Sequence, residues 1–222
     1  IEDPVEYIIP GVRQIKLGTR LGLEGALRAI LRHDPDIVMV GEMRDKETAE
    51  LAIKLANTGH LTFSTLHTND APSAVSRLFK MGIEPFLLAY AINLIVAQRL
   101  LRKLCPECKE VVKNPDHVLL SELGFTDAEV ENATFYGPAY DPACTRCKGV
   151  GYRGRRAIGE ALYFTRAIRH KIVGAGEAVD EDTIRKTAVE EGMLTLLASA
   201  REVVKMGETS IEEVIRVTAS DE

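Results

Sequence analysis

The sequence has no tryptophan, and its aromatic residues are limited to six tyrosines and six phenylalanines among 222 residues. Proteins that bind RNA or single-stranded nucleic acid stack bases on aromatic side chains and present a basic surface. Here aromatic residues make up 5% of the chain, and 28 basic against 33 acidic residues give a net charge of −5. The composition therefore disfavours nucleic-acid binding, and we expect no nucleic-acid partner.

Long hydrophobic runs are also missing. No apolar run reaches the ~18 residues that a membrane-spanning helix needs. The longest candidate, PFLLAYAINLIVAQRLL, contains Asn93, Gln98 and Arg99, and we interpret it as part of a protein core. No signal peptide is recognisable. The hydrophobic fraction of 45% and the charged fraction of 27% are ordinary for a soluble globular protein.

A Gly-rich phosphate-binding loop that ends in Lys and Ser or Thr is the third absence. It matters because the stretch DPDIVMVGEMRD (34–45) has the pattern of a buried strand that delivers a carboxylate, Glu42, to a metal–phosphate site. The chain also starts at Ile1, inside a patterned segment. We therefore expect it to be part of a longer protein.

Strand-like and helix-like patterns alternate over residues 1–104. The predicted elements are a strand at 12–17, a helix that Pro35 ends, a strand at 36–41, a helix capped by Asp45, a strand at 61–66, and a helix opened by Asp70 and Pro72. Strands that alternate with helices predict an α/β fold with a parallel sheet covered on both faces.

The composition changes at Cys105. Residues 105–155 are rich in Pro, Gly, Asp and Asn, which indicates that something other than a hydrophobic core orders them. The stretch GYRGRRAIGEAL then predicts a hairpin, and the pattern is helical from Thr165 onward. We therefore predict three regions: an α/β region at 1–104, a cysteine-rich region at 105–155 and a helical region at 156–222.

Four cysteines form two C-x-x-C pairs, Cys105 with Cys108 and Cys144 with Cys147. Four thiolates satisfy a tetrahedral Zn²⁺ ion and leave no open position for substrate, so we predict a structural zinc site. A redox pair or free thiols are the alternatives. The stretch CTRCKGVG also fits the C-x-x-C-x-G-x-G pattern of chaperone zinc repeats, although those proteins carry several such units. The alternative function is therefore a zinc-bearing protein-interaction module without hydrolytic activity.

Three other stretches carry the groups that phosphoryl transfer to water needs: IEDPVEY (1–7), VGEMRD (40–45) and TGHLTFSTLHTND (58–70). In open parallel sheets the ligand lies outside the carboxyl ends of the strands. We therefore expect the acidic groups and one histidine to meet at that edge. These residues are Glu2, Asp3, Glu6, Glu42 and His67.

Hydrolysis of a nucleoside triphosphate needs Mg²⁺, a base that orients water, and cations that offset developing charge. Glu42 suits the metal, Glu6 or Asp3 suits the base, and His67 suits a γ-phosphate contact. Each stretch also has an ordinary alternative. Asp-Pro favours a turn, an acid after a strand can stabilise a helix N-terminus, and a single histidine can be structural.

Together and in this order, the three stretches resemble the Asp box, Walker B motif and His box of the secretion ATPases that drive type II secretion and type IV pilus assembly. The resemblance continues through GIEPFLLAYAINLIVAQRLLRKLCPECKE and GETSIEEVIRVT. It implies the C-terminal part of a RecA-like P-loop NTPase core with a mostly parallel sheet at 1–104. The P-loop would lie upstream of Ile1. A tetracysteine zinc subdomain at 105–155 and a C-terminal helical subdomain at 156–222 would follow.

The resemblance also implies site residues for ATP and Mg²⁺. These are Glu6 as the catalytic acid, with Glu2 and Asp3 beside it, Glu42 as the Walker B acid, and His60 and His67 as the two His-box histidines. His67 would be closer to the phosphates, and Arg44 would be a further nucleotide contact. Gly41 occupies the position at which many P-loop proteins have Asp, and the family shares this departure.

The implied function is that of an ATP-hydrolysing motor. It would act as a homo-hexamer on an inner-membrane platform protein, in the cytoplasm and peripheral at the inner membrane. The tetracysteine insertion indicates an assembly motor rather than a retraction motor. The sequence does not choose firmly between pilus assembly and type II secretion, although STLHTNDAP leans toward pilus assembly. Without Walker A, we expect this piece alone to be inactive.

Overall fold

The computed structural model describes residues 1–176 and 178–218. Two compact units divide the chain: one consists of residues 1–95 and 162–191, and the other of residues 96–161 and the chain from Gly192 onward. The described elements are α1 Leu23–Leu31, β1 Ile37–Val40, α2 Lys46–Asn57, β2 Leu61–Ser64, α3 Ala71–Lys80, α4 Pro85–Ala91, β3 Leu94–Leu104, β4 Lys109–Val111, α5 His117–Glu122, α6 Asp127–Asn132, β5 Tyr136–Pro138, β6 Tyr152–Tyr163, α7 Arg166–Val173, α8 Glu181–Glu190, α9 Leu196–Lys205 and α10 Ile211–Thr218.

The sheet of the first unit is a parallel pair of strands. β1 and β2 are in register from Ile37 opposite Leu61 to Val40 opposite Ser64. Their positions and parallel pairing confirm that part of the sequence prediction. A larger parallel sheet is not seen, because each sheet among the described residues has two strands. The α/β class is thus present, but the mostly parallel core that we expected is reduced to this pair.

The start of the chain runs beside β1. The backbone nitrogen of Ile1 donates to Met39 O at 2.7 Å, and the Gly41 amide donates to Ile1 O at 2.8 Å. The predicted strand at 12–17 is wrong, since that segment forms only an isolated bridge between Lys16 and Glu2. The segment around Glu2, which lies beside it, pairs with it through one bridge and does not extend into a strand.

Helices cover one face of the β1–β2 pair. The inward side chains are Val38 and Val40, which pack with Ala26 and Leu27 of α1 and with Ala52 and Leu55 of α2. On the other face the apolar side chains are about half exposed: Ile37 61%, Met39 46%, Leu61 53% and Phe63 53%. The described residues therefore cover one face of the sheet, where we expected cover on both.

Side-chain caps fix where the helices of this unit begin. Asp45 accepts a hydrogen bond from the Thr48 amide at 2.8 Å, and Asp70 accepts one from the Ser73 amide at 2.8 Å. Such caps satisfy amide groups that have no partner within the helix. Gly59, at φ +94°, follows the end of α2 in the left-handed conformation that glycine tolerates. The predicted starts of α2 and α3 are confirmed.

Four further helices complete the first unit, in which α4 packs on α7 and α3 packs on α8. Thr165 caps α7 by accepting from the Ile168 amide at 3.3 Å. Helices therefore do begin after Thr165, as the pattern predicted. None of the helices in the described part of the chain combines the length and apolar character needed to cross a bilayer.

The second unit is built on the pairing of β3 with β6. The predicted hairpin in GYRGRRAIGEAL is wrong, because Tyr152–Tyr163 forms one continuous strand. Gly154, at φ +80°, lies within that strand instead of closing a turn. Apolar residues of α9 and α10 pack with Leu101, Leu120, Phe125 and Ile158 to form the core.

A buried carboxylate in α10 holds two arginines in this unit. Glu213 is fully buried, and its Oε2 lies 2.6 Å from Arg102 Nη2 while its Oε1 lies 2.7 Å from Arg216 Nη2. The Arg102 amide also donates to Glu213 Oε1 at 2.9 Å. Burial opposes ionisation, but the hydrogen bonds from Arg216 and Arg102 outweigh it and lower the pKa of Glu213 to about 2.

We predict that Glu213→Gln lowers the free energy of unfolding by about 2 kcal/mol at neutral pH, because it removes the buried negative charge that both guanidinium groups contact. Since the folded pKa is depressed, the stabilisation by Glu213 is present above the unfolded value of roughly 4.3 and is lost as the pH falls toward the folded value. Urea denaturation across this acid range should therefore show a flatter pH dependence in the variant.

The matched control is Glu212→Gln, which removes the same charge from the exposed neighbouring position. Equal unfolding free energies for the two variants would contradict the role assigned to Glu213.

Candidate functional site

Three side chains meet just beyond the carboxyl ends of β1 and β2. Glu42 Oε2 accepts a hydrogen bond from Arg44 Nε at 2.6 Å, and Glu42 Oε1 lies 3.1 Å from His67 Nε2. The Glu42 side chain is 21% exposed, whereas that of His67 is 85% exposed. The hydrogen bond with Glu42, and then the charge of Glu42, raise the pKa of Arg44. The structure thus brings together three of the predicted site residues.

Hydrogen bonds between the two loops fix this meeting point. The Thr65 hydroxyl donates to Gly41 O at 2.6 Å, and the Met43 amide donates to Thr65 O at 3.0 Å. These bonds continue the parallel pairing of the strands into the loops that follow them. Glu42 and His67 are therefore held on the same edge, where ligands of parallel sheets bind.

Gly41 allows the first two residues to approach this loop closely. A Cβ atom at Gly41 would lie 3.0 Å from Ile1 O and 3.5 Å from Glu2 Cα. That approach is tighter than most side chains tolerate, and it gives a steric reason for glycine before the acid. The segment that begins the Asp box is thereby placed beside the loop that carries Glu42.

The acids of the Asp box have different surroundings. Glu2 Oε2 accepts from Gln14 Nε2 at 2.8 Å, and the charge of Asp3 contributes to the raised pKa of Arg44. Glu6 is exposed. In the described structure Glu6 has no recorded hydrogen bond or ion pair with Glu42 or His67, so its role as catalytic acid stays a prediction.

His60 lies at the opposite end of β2 from His67. Its Nδ1 is 3.0 Å from the Thr58 hydroxyl and 3.2 Å from Leu55 O. A strand rises about 3.3 Å per residue, so the length of β2 separates the two histidines. The structure therefore does not bring His60 into the group around Glu42.

The chemistry of the Glu42 group fits a magnesium–nucleotide site in part. Carboxylate oxygens bind Mg²⁺, which usually takes one or two carboxylates together with phosphate oxygens and water. Glu42 supplies one such carboxylate, while Arg44 and His67 supply groups that can contact phosphate. Both oxygens of Glu42 are engaged by these two side chains.

The four cysteines of the second unit form one cluster. Their sulfur atoms all lie within 4.8 Å of one another, with Cys105 Sγ 3.8 Å from Cys144 Sγ and Cys108 Sγ 3.5 Å from Cys147 Sγ. None of them is in a disulfide. A tetrahedral zinc ion with Zn–S bonds of about 2.3 Å requires sulfur atoms about 3.8 Å apart. The cluster therefore fits zinc.

The hydrogen bonds within the cluster shift the pKa values of Cys147 and Cys108 in opposite directions. Burial opposes ionisation of Cys147, but the Gly151 amide, whose nitrogen lies 3.4 Å from Cys147 Sγ, and the Cys108 and Cys144 thiols lower its pKa to about 7. Burial and then the shared hydrogen bonds raise the pKa of Cys108. The backbone donor thus favours the thiolate form of Cys147, and a bound metal ion would favour the thiolate form of its ligands.

The fold is that of known ATPases. The X-ray structure of the Yersinia pseudotuberculosis ATPase DotB matches 87% of this chain and 39% of the DotB chain, with a TM-score of 0.59 and 22% sequence identity. The X-ray structure of the Legionella pneumophila ATPase DotB gives a TM-score of 0.58 and 21% identity over 87% of this chain and 41% of the other. The likeness defines a mixed α/β fold of the DotB kind, here with a tetracysteine cluster.

Comparison of sequences then assigns the family. The profile of the type II/IV secretion system protein family matches residues 1–216, and the chain belongs to that family. The type IV pilus assembly ATPase PilB of Myxococcus xanthus is 44% identical over 99% of this chain and 38% of the relative. PilB of Thermus thermophilus is 47% identical over 98% of this chain and 24% of the relative. The type II secretion system protein HxcR of Pseudomonas aeruginosa is 41% identical over 98% of this chain and 41% of the relative.

The chain thus spans between about a quarter and two fifths of the length of these curated relatives. The predicted resemblance to the secretion ATPases is confirmed. Activity of this chain and the part that each site residue takes in it stay predictions.

Sequence reasoning missed two residues that shape the site. Thr65 carries no motif signal, because its function depends on a loop-to-loop hydrogen bond that only the strand register creates. Gln14 bonds to Glu2 across twelve positions, which no local pattern reveals. Gly41 was noticed as a departure from the usual Asp, and the approach of Ile1 explains it.

We predict that Gly41→Ala destabilises the first unit by about 1 kcal/mol, because the new methyl group must displace the backbone of Ile1 and Glu2. Gly18→Ala is the control, since a Cβ atom there would meet no atom within 4 Å. Urea denaturation of both variants tests the prediction. Equal stability would show that residues 1 and 2 do not approach the loop as described.

We also predict that the purified protein binds about one zinc ion per chain through the four thiolates, and that chelation lowers its melting temperature. Cys105→Ser should lower the zinc content by at least half. Thr145→Ala, an exposed change between two cysteines, should not alter it. Elemental analysis and thermal denaturation measure these effects. A protein that is free of metal and indifferent to chelators would contradict the structural-zinc interpretation.

Proposed function

We propose that the chain is part of an ATP-hydrolysing motor of the type IV pilus assembly or type II secretion class, and that residues 1–104 belong to a RecA-like P-loop NTPase core. The observation that carries this proposal is the Glu42 group. A carboxylate contacts an arginine at 2.6 Å and a histidine at 3.1 Å, beyond the carboxyl ends of two parallel strands. Family membership and the DotB-like fold support it.

Glu42 would hold Mg²⁺ directly or through water, as the Walker B acid. Mg²⁺ supplies charge that offsets the developing negative charge on the phosphate oxygens. Glu6 or Asp3 would orient the attacking water. The P-loop that cradles the phosphates would come from outside these 222 residues, so we expect the chain alone to be inactive.

Arg44 and His67 would change partners when nucleotide binds. Both side chains now contact Glu42, and both are largely exposed, at 68% and 85%. A metal ion at Glu42 would weaken their attraction to the carboxylate and leave them available to phosphate oxygens. Exposed side chains can make this exchange at little cost in packing.

The tetracysteine cluster would have a structural function. Four protein ligands leave zinc no open position, and the cluster ties together two segments of the second unit, around Cys105 and around Cys144. Such closure orders a stretch whose strands, β4 and β5, have three residues each.

The full-length motor would be a homo-hexamer that drives an inner-membrane platform protein, and it would work in the cytoplasm, peripheral at the inner membrane. The relatives carry both kinds of name, type IV pilus assembly ATPase and type II secretion system protein. The tetracysteine cluster favours an assembly motor over a retraction motor, and the stretch STLHTNDAP leans toward pilus assembly over type II secretion.

In the full-length protein, we predict that Glu42→Gln lowers the rate of ATP hydrolysis by roughly a hundredfold, because the metal loses its carboxylate. Steady-state phosphate release measures the rate. Glu47→Gln, at an exposed acid in the first turn of α2, is the matched control and should retain the wild-type rate.

Two outcomes would refute the proposal. Equal turnover of Glu42→Gln and wild type would remove Glu42 from the site. Absence of ATPase activity in the full-length wild type, with zinc bound and the fold intact, would favour the zinc-bearing interaction module instead.

A further inference from the structure

A cavity of about 430 Å³ lies beside the cysteine cluster within the second unit. Its lining includes four cationic residues, Lys103, Lys109, Arg146 and Arg153, against one carboxylate, Glu208. Cavities of this volume are in the range of sites for small ligands. The cavity lies in a different unit from the Glu42 group, and the proposed ATPase function leaves it unused.

Two of the cations already have carboxylate partners. Lys103 Nζ lies 3.2 Å from Glu208 Oε2, and Arg146 Nη1 lies 2.9 Å from Glu107 Oε1. These pairs are partly exposed, and the net charge of each pair is close to zero.

The other two cations contact only neutral groups among the interactions described. Lys109 Nζ donates to Gly207 O at 2.8 Å and lies 4.2 Å from the centre of the Tyr136 ring. Arg153 Nη1 donates to Arg146 O at 2.6 Å. Each retains hydrogen-bond donors, since an ammonium group has three and a guanidinium group has five. Lys109 and Arg153 therefore give the cavity positive charge that no carboxylate of residues 1–176 or 178–218 is seen to contact.

The two C-x-x-C segments, residues 105–108 and 144–147, form part of the same cavity wall. Pro106 lies between Cys105 and Cys108, Arg146 lies between Cys144 and Cys147, and Lys109 follows Cys108. Zinc bound to four thiolates carries a net charge of −2, so the cations could serve that cluster instead of a ligand. Among the described hydrogen bonds, however, none runs from these cations to a sulfur atom, and the donor to Cys147 Sγ is the Gly151 amide.

We propose that this cavity binds a small oxyanion with two or more negative charges, of the pyrophosphate class, with Lys109 and Arg153 as its principal contacts. Charge-assisted hydrogen bonds from Lys and Arg to phosphate oxygens are strong and selective for such anions. Because the two C-x-x-C segments position Arg146 and Lys109, a metal ion held by the four cysteines would keep the cavity formed.

The test is isothermal titration of the zinc-loaded protein with pyrophosphate. We expect saturable binding of one anion per chain, which weakens as the salt concentration rises. Arg153→Gln should weaken binding about tenfold, because it removes one charge-assisted contact. Lys109→Gln is the second variant and should act in the same direction. Zinc content and melting temperature are measured for each protein before and after the titration, so that metal loss or misfolding is recognised.

Arg155→Gln and Arg156→Gln are the matched controls, since they remove the same charge from exposed positions of the same strand, β6, outside the cavity lining. Binding to either control should stay within about twofold of wild type. Arg44→Gln serves as a further control, because it changes the candidate nucleotide site in the other unit and should leave this binding unaltered.

Three results would overturn the proposal. The first is no saturable binding. The second is equal weakening by Arg153→Gln and Arg155→Gln, which would indicate attraction to surface charge alone. The third is loss of binding in Arg44→Gln with retention in Arg153→Gln, which would place the anion at the Glu42 group. A lower zinc affinity of Arg153→Gln, without pyrophosphate binding by wild type, would assign the cation to the cysteine cluster.

Discussion

The parallel pairing of β1 with β2 is the constraint on which the candidate site depends. Each strand has four residues, and their register places Val40 opposite Ser64. The loops beyond them are tied by the Thr65 hydroxyl to Gly41 O and by the Met43 amide to Thr65 O. Glu42 and His67 are 25 positions apart in the sequence, yet these few hydrogen bonds bring their side chains into contact.

Two groups of polar side chains order the second unit, in addition to its hydrophobic core. The cysteine cluster joins segments 39 positions apart, and Glu213 joins α10 to β3 through Arg102. Both groups contain charged or ionisable side chains that are removed from water, and such burial costs free energy unless the side chains are fully paired. The two arginines at Glu213 satisfy that requirement, and a metal ion at the cysteine cluster would satisfy it there.

Much of the first unit could be predicted from the sequence because its signals are local. The apolar runs IVMV and LTFS are strands, and Asp45 and Asp70 cap the helices that the sequence assigned to them. The family could also be predicted, since several motifs occur in a fixed order. The sulfur atoms of the four cysteines meet as their spacing indicated.

The errors have a common physical origin in contacts between distant residues. Residues 12–17 alternate like a strand, but a ladder needs a partner of similar length, and the segment beside them provides one bridge. The stretch GYRGRRAIGEAL predicts a hairpin, whereas the pairing of β6 with β3 keeps Tyr152–Tyr163 one continuous strand. His60 and His67 belong to one stretch of sequence, but a strand between them places the two at opposite ends of β2.

A crystal structure of the full-length protein with Mg²⁺ and a non-hydrolysable ATP analogue would test the central claim most directly. The account predicts that Glu42 binds the metal or one of its water ligands, with His67 and Arg44 turned from Glu42 toward the phosphates. A nucleotide bound with Glu42 outside the metal's ligand and water shells, and with His67 and Arg44 still on the carboxylate, would contradict it.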